Sequence, residues 1–168
     1  CTALTEAALL SADIVPDFGA FNGCANLTKI SLPDGLQTIP DGLCQDTGLT
    51  EIVVPAGVKK IGQQAFSGCT HLRRAVLPEG LASIGRLAFS KCENLSDVVF
   101  PESLKELGDK AFAGCRSLTT AVFTDVSKVG KGVFDIPGTK VLFRSKKPRG
   151  KWPADWVGKG VKVKWNVK

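Results

Sequence analysis

Leu4, Leu27, Leu49, Leu72, Leu95 and Leu118 stand 23, 22, 23, 23 and 23 residues apart. A period of this length constrains the chain more than any local propensity does, because self-similar units of about 20–50 residues build stacked arrays. Other positions keep the same beat. Three residues after each anchor come Ala7, Ile30, Ile52, Ala75, Val98 and Ala121, and five after it come Leu9, Leu32, Val54, Leu77, Phe100 and Phe123. Proline follows at Pro33, Pro55, Pro78 and Pro101. Then come Ile39, Ile61, Ile84 and Leu107, and after them Phe66, Phe89 and Phe112. A thiol closes most units, at Cys1, Cys24, Cys69, Cys92 and Cys115.

Within a unit, the run from anchor to proline predicts a short strand, since proline cannot donate to a ladder. The stretch IGQQAFSGC predicts a turn of helix that carries Ile61, Ala65, Phe66 and Cys69 on one side and ends at Gly68. One such unit cannot bury its apolar side alone. Stacked units bury it as a continuous core, with strands ~4.8 Å apart in a parallel sheet. A β-sandwich is disfavoured, because its strands would not share one phase. The expected fold is therefore a mainly β repeat solenoid, with one parallel sheet and short helical turns on the other side.

Hydrophobic residues make up 43% and charged residues 23%, a balance that argues against disorder. No apolar run approaches the ~20 residues of a membrane span, and the opening CTALTEAALL lacks the basic start of a signal peptide. Charge divides the chain in two. Residues 140–168 carry ten Lys or Arg and a single acid, Asp155, whereas residues 1–139 carry twelve bases and fifteen acids. A mildly acidic body, 1–139, thus precedes a basic tail, 140–168.

The unit L-x-x-V-x-L-P-x-x-L-x-x-I-G-x-x-A-F-x-G-C resembles the BspA-like leucine-rich repeat family over about residues 1–139. The tail KKPRGKWPADWVGKGVKVKW is similar to the closing segment of many bacterial members. The resemblance implies a right-handed coil with a C-terminal cap at 140–168. It also implies an extracellular or cell-surface bacterial protein in adhesion or host contact, from a family with no common enzymatic activity and no common ligand. An interaction module with a protein or glycan ligand and no cofactor is expected. Three units depart from the pattern. The unit around Leu49 is one residue short, with Asp46 where the thiol belongs and Cys44 in the Phe place. The last has Thr124 in place of proline and is a residue short before Val126 and Val129. The first is irregular at Leu10, Ser11 and Val15-Pro16. A monomer is expected.

Six cysteines invite a metal or disulfide reading. Five share one phase, so each should point into its own coil and stay a reduced, buried thiol. Cys1 keeps the repeat phase, which sets it apart from a lipid-attachment cysteine. Bridges between coils fit poorly, since parallel side-chain vectors do not meet. A zinc site is disfavoured because thiols in a row do not form a tetrahedron. His71 is the only histidine, two residues from Cys69, but its place in the repeat is a surface turn, which argues against a nucleophile pair. Glu51, Asp97, Glu79 and Glu102 fall at outward positions. Gly130-Lys131-Gly132 is only a fragment of a phosphate loop. The sequons at Asn26 and Asn94 arise from the repeat itself. No catalysis is expected.

Surface remains. Side chains alternate along a strand, so an outward row reads Ala8, Ser31, Val53, Val76, Val99 and Val122. Arg73 and Arg74 stand beside it. Valine suits strands in its own right. An exposed apolar stripe with a polar rim also marks interfaces, which makes Val53, Val76, Val99, Val122, Arg73 and Arg74 the candidate partner-binding residues. In the tail, Lys146, Lys147, Arg149 and Lys151 are candidate polyanion contacts. Val161, Val163 and Trp165 alternate with Lys162 and Lys164, as in a strand that covers the open end and keeps its lysines in water. A spacer array without a ligand is the other reading.

Overall fold

The computed structural model describes residues 1, 3–13, 16–144 and 152–167. Among these residues thirteen short strands follow one another: β1 (Glu6–Ala8), β2 (Lys29–Ser31), β3 (Thr38–Ile39), β4 (Glu51–Val53), β5 (Lys60–Ile61), β6 (Arg74–Val76), β7 (Ser83–Ile84), β8 (Asp97–Val99), β9 (Glu106–Leu107), β10 (Thr120–Phe123), β11 (Lys128–Val129), β12 (Lys140–Phe143) and β13 (Lys162–Lys164). All pair in parallel with the equivalent strand of a neighbouring coil, in the orders β1-β2, β4-β6-β8 and β10-β12-β13 along one side. The expected sheet is joined by a second one of two-residue strands, β11-β9-β7-β5-β3. The chain is a β-solenoid, as the period predicts.

Local chemistry sets each corner of the coil. After the long strand the proline carbonyl accepts a turn-closing hydrogen bond three residues on, from the N–H of Leu36, Val58, Leu81 or Leu104. Each of these side chains is buried. At the next corner stand Gly62, Gly85 and Gly108. A Cβ added to Gly85 would lie 2.8 Å from the carbonyl carbon of Gly62, so the coils approach too closely there for any side chain.

The expected helical turns are absent, and no helix occurs among the described residues. In the stretch from Gln63 to Cys69, Gln64 has φ +55° and Gly68 φ +74°, left-handed values that an α-helix cannot contain. The N–H groups of Gln64, Phe66 and Gly68 leave their own coil and donate to the carbonyls of Arg86, Ala88 and Ser90 at 2.9, 2.8 and 2.8 Å. Ser67 and Cys69 close tight turns on Gln64 and Phe66. Bonding between coils replaces bonding within a helix.

The core holds two aromatic columns along the solenoid axis. In one, the rings of Phe66, Phe89, Phe112 and Phe134 follow at 5.2, 5.3 and 5.5 Å, stacked. In the other, Phe100, Phe123, Phe143 and Trp165 follow at 4.4, 5.5 and 4.2 Å. Trp152 and Trp156 also pack on Phe143, at 5.5 and 6.1 Å. Val161, Val163 and Trp165 are half-buried against the same end of the core.

The thiols form a third row. Cys69, Cys92 and Cys115 donate from Sγ to the carbonyls of Cys44, Phe66 and Phe89 in the preceding coil, at 3.0, 3.1 and 3.1 Å. In the short unit the place in this row belongs to Thr47 and not to Asp46, which is exposed. Thr47 is buried, with Oγ1 donating to the Cys44 carbonyl at 2.9 Å and 3.2 Å from Cys69 Sγ. The missing residue therefore falls between Thr47 and Leu49. Cys1 is the other correction: it is exposed while the remaining five cysteines are buried.

Candidate functional site

On the outer side of the long-strand sheet, Val53, Val76 and Val99 stand in register on β4, β6 and β8. Val122 on β10 is in register with Leu142 on β12. Val53, Val99 and Val122 are 56%, 76% and 36% exposed, far from the near-zero values of the inward anchors, and Val76 is half-buried. The alternation expected of these strands is thus observed: inward Ile52 and Ala75 are buried.

Beside the stripe, Glu51, Arg74 and Asp97 are also in register. Arg74 Nη1 lies 3.2 Å from Glu51 Oε1, and its Nε lies 3.0 Å from Asp97 Oδ2. The guanidinium is neutralised on both sides. Such exposed pairs contribute on the order of 0.2–1 kcal/mol each, so their main effect is to fix the charge beside the valines. Arg73 is exposed and makes no ion pair with the described residues. Of the two candidate arginines, Arg73 is the one left with an uncompensated charge.

The ladder is interrupted on either side of this central sheet. β2 and β4 are not paired, and neither are β8 and β10. The first break lies next to the short unit around Leu49. Only a long bond, Thr50 N–H to the Thr28 carbonyl at 3.4 Å, spans the start of that gap. A groove of about 590 Å³ opens there, lined by Thr28, Lys29, Ser31, Thr50, Glu51 and Val53 among others.

The described residues do not bring the sequence candidates for a nucleophile pair or a metal site together. Cys69 turns inward to the Cys44 carbonyl, whereas His71 is exposed beside Thr70. No cluster of three or more metal-ligating side chains occurs among the described residues. Burial pushes the Cys69 thiol up to about 11 and the Cys115 thiol up to about 12, and raises Cys44 and Cys92 in the same direction. Desolvation of the thiolate is the dominant cause, and it keeps these groups protonated and unreactive. Glu79 and Glu102 are exposed. Asn94 donates from Nδ2 to the Thr70 carbonyl at 2.8 Å, tying two turns together.

The polyanion candidates Lys146, Lys147, Arg149 and Lys151 lie outside the described residues. Another basic group was not grouped from sequence. Lys140, Lys162 and Lys164 surround Leu142 and Val167 at a pocket of about 540 Å³. Its signal was a 22-residue offset that pairs Lys140 with Lys162 and Leu142 with Lys164. The offset was hidden because β10 and β12 pair at a spacing of 20, Thr120 with Lys140, which breaks the 23-residue count.

No helix among the described residues is long and apolar enough to cross a membrane. Among solved structures, a leucine-rich repeat protein of T. pallidum is 30% identical with a TM-score of 0.59, over 83% of this chain and 58% of that one. A leucine-rich repeat protein from Bacteroides ovatus is 23% identical with a TM-score of 0.48, over 96% of this chain and 55% of that one. The chain thus spans less than two thirds of the length of either. No match was found among the curated proteins. The family model for the BspA type leucine rich repeat region matches residues 16–137 in six copies. By that match, the chain belongs to the BspA-type leucine-rich repeat family.

Proposed function

We propose that the chain is a non-catalytic interaction module that docks a protein partner on the outer face of its long-strand sheet. The observation that carries this reading is the valine stripe. Val53 and Val99 are exposed, in register through Val76, and rimmed by Arg73 and the Glu51–Arg74–Asp97 array, and exposed Val122 follows on β10, the next long strand. An aliphatic stripe with a polar rim has the make-up of a docking surface. It offers few hydrogen-bonding groups to a sugar, which favours a protein ligand over a glycan. Membership of the BspA-type family supports placement at the surface of, or outside, a bacterial cell, in adhesion or host contact. The test is site-specific photo-cross-linking from position 99, with exposed Lys128 on the second sheet as the control position. A discrete partner captured from 99, not from 128, and lost with Val53→Asp, is the expected result. Equal capture from both positions, or none from 99, sinks the docking face and leaves a spacer array.

A further inference from the structure

Lys140 and Lys162 face each other on adjacent parallel strands, and Lys164 stands opposite Leu142. Neighbouring strands lie ~4.8 Å apart, and side chains two residues apart on a strand lie ~6.7 Å apart. The three lysines thus occupy three corners of a small rectangle whose fourth corner is Leu142. All three lysines are exposed, and none has an acidic partner among the described residues. Like charges directly opposite on neighbouring strands destabilise a sheet. The contrast with the earlier coils is sharp, since the same row reads Glu6, Lys29, Glu51, Arg74 and Asp97 there, and its Arg74 is compensated on both sides.

Protection of a free sheet edge accounts for part of the cluster. β13 is an edge strand, and lysines on an edge discourage strand addition. Lys140 escapes that account, because it lies on β12, an inner strand paired on both sides. The lysines also do more than face water. With Leu142 and Val167 they line a half-open depression of about 540 Å³, a volume within the ~300–1000 Å³ range of ligand sites. Its lining is Leu142, Val167 and the three lysines, and a lysine lays its methylene stem along apolar surface while keeping its charge in water. Val122, one of the valines of the docking face, is in register with Leu142.

We propose that this pocket binds an acidic peptide segment of a protein partner, two or three carboxylates meeting Lys140, Lys162 and Lys164 while an aliphatic side chain between them enters against Leu142 and Val167. The assignment deepens the docking reading and rests on it for the identity of the partner as a protein. A polysulfated glycan would meet the charges but has no aliphatic group for the pocket. The charge match gives specificity and association rate as much as affinity.

The experiment titrates the full chain with a fluorescent Asp-Glu-Leu-Glu-Asp peptide, read by anisotropy, and follows the methyl resonances of Leu142 and Val167. Saturable binding with shifts at both methyl groups is expected. Affinity should fall at least tenfold in Lys140→Gln/Lys162→Gln/Lys164→Gln and severalfold when serine replaces the peptide's leucine. The triple variant should melt within a few degrees of the parent chain, since the shorter glutamine stems cover less of Leu142 and Val167 while the repulsion between the lysines is removed, and Lys140→Gln alone should give an intermediate loss of affinity. The proposal is overturned if the Leu142 and Val167 methyl groups do not move. It is overturned equally if the lysine variants bind as the parent does, or if a heparin fragment takes the site while the peptide does not. This titration uses the purified chain alone, whereas cross-linking from position 99 reads the partner alone, so either can fail while the other stands.

Discussion

The indole of Trp165 lies 4.2 Å from the ring of Phe143, with the two planes 13° apart. It is the last ring of the column that starts at Phe100, and beyond it no further coil is described. Trp152 joins from the side, its Nε1 donating to the Ser127 carbonyl at 3.2 Å. We propose that Trp152, Trp156 and Trp165, with Val161 and Val163, close this end of the core, since the inner face of the coil before them would otherwise meet water. Trp165→Ala is expected to cost about 2–3 kcal/mol, below the full core value because the indole is half-buried. Trp165→Phe, which keeps a ring on Phe143, should cost less than about 1.5 kcal/mol. Urea unfolding measures both. Equal stability of all three chains would remove the closing role.

The thiols give a pH signature. Cys69 and Cys115 are pushed up to about 11 and about 12 by burial, from an ordinary value of 9.0, and Cys44 and Cys92 move the same way. Above about pH 9 the unfolded chain loses these protons and the folded chain keeps them, so the unfolded state binds fewer protons and stability falls as pH rises. The fall amounts to roughly 1.4 kcal/mol per pH unit for each such thiol, and for Cys69 it levels off above about 11. Urea midpoints should therefore drop from pH 8 to 10.5, and less steeply in Cys92→Ala. At neutral pH a thiol reagent should label only Cys1 quickly, with the other five reacting on unfolding. Several fast thiols in the native chain would contradict the buried row.

Gly85 tests the corner. A methyl group there meets the carbonyl carbon of Gly62 at 2.8 Å and the Gln63 nitrogen at 2.9 Å, backbone atoms that cannot swing aside. Gly85→Ala is expected to destabilise by at least about 2 kcal/mol, in the range of overpacking in a close-packed interior. Gly23 has nothing within 4 Å of the added carbon. Its positive φ of 70° leaves only the conformational cost of about 1 kcal/mol. Thermal unfolding should rank the two variants in that order.

The repeat period was enough to read the solenoid, the inward anchors, the proline strand ends and the alternation that turns Val53 and Val99 outward. It could not reveal the left-handed turns. Gln64, Leu87 and Lys110 adopt φ of 55°, 57° and 54° although none is glycine, because bonds to the next coil hold them there. Aligning the short unit on its missing thiol put Asp46 in the inward place. Counting three residues on from Cys44, as Cys69 follows Phe66, gives Thr47. Cys1 shares the phase of the buried thiols yet is exposed, since phase fixes a direction and burial also needs neighbouring coils. The lysine pocket depended on the pairing offsets of the last strands, 22 between β12 and β13 and 20 between β10 and β12, which depart from the 23-residue period.

The strand register can be tested at two neighbouring rows. Ala75 lies between Ile52 and Val98 in the ladder and is 2% exposed. Val99 stands one place along on the next strand and is 76% exposed. An aspartate at position 75 would be a carboxylate without partners in the core, and it must either be buried charged or take up a proton. Each costs several kcal/mol, so Ala75→Asp should unfold the chain or lower its melting temperature by well over ten degrees. Val99→Lys places its ammonium in water near Asp97 and should change stability by less than about 1 kcal/mol. Because a slip of one residue exchanges the two faces of a strand, the two rows must respond oppositely. A Val99→Lys chain as unstable as Ala75→Asp would mean that the valines face the core, and the docking face would go with them.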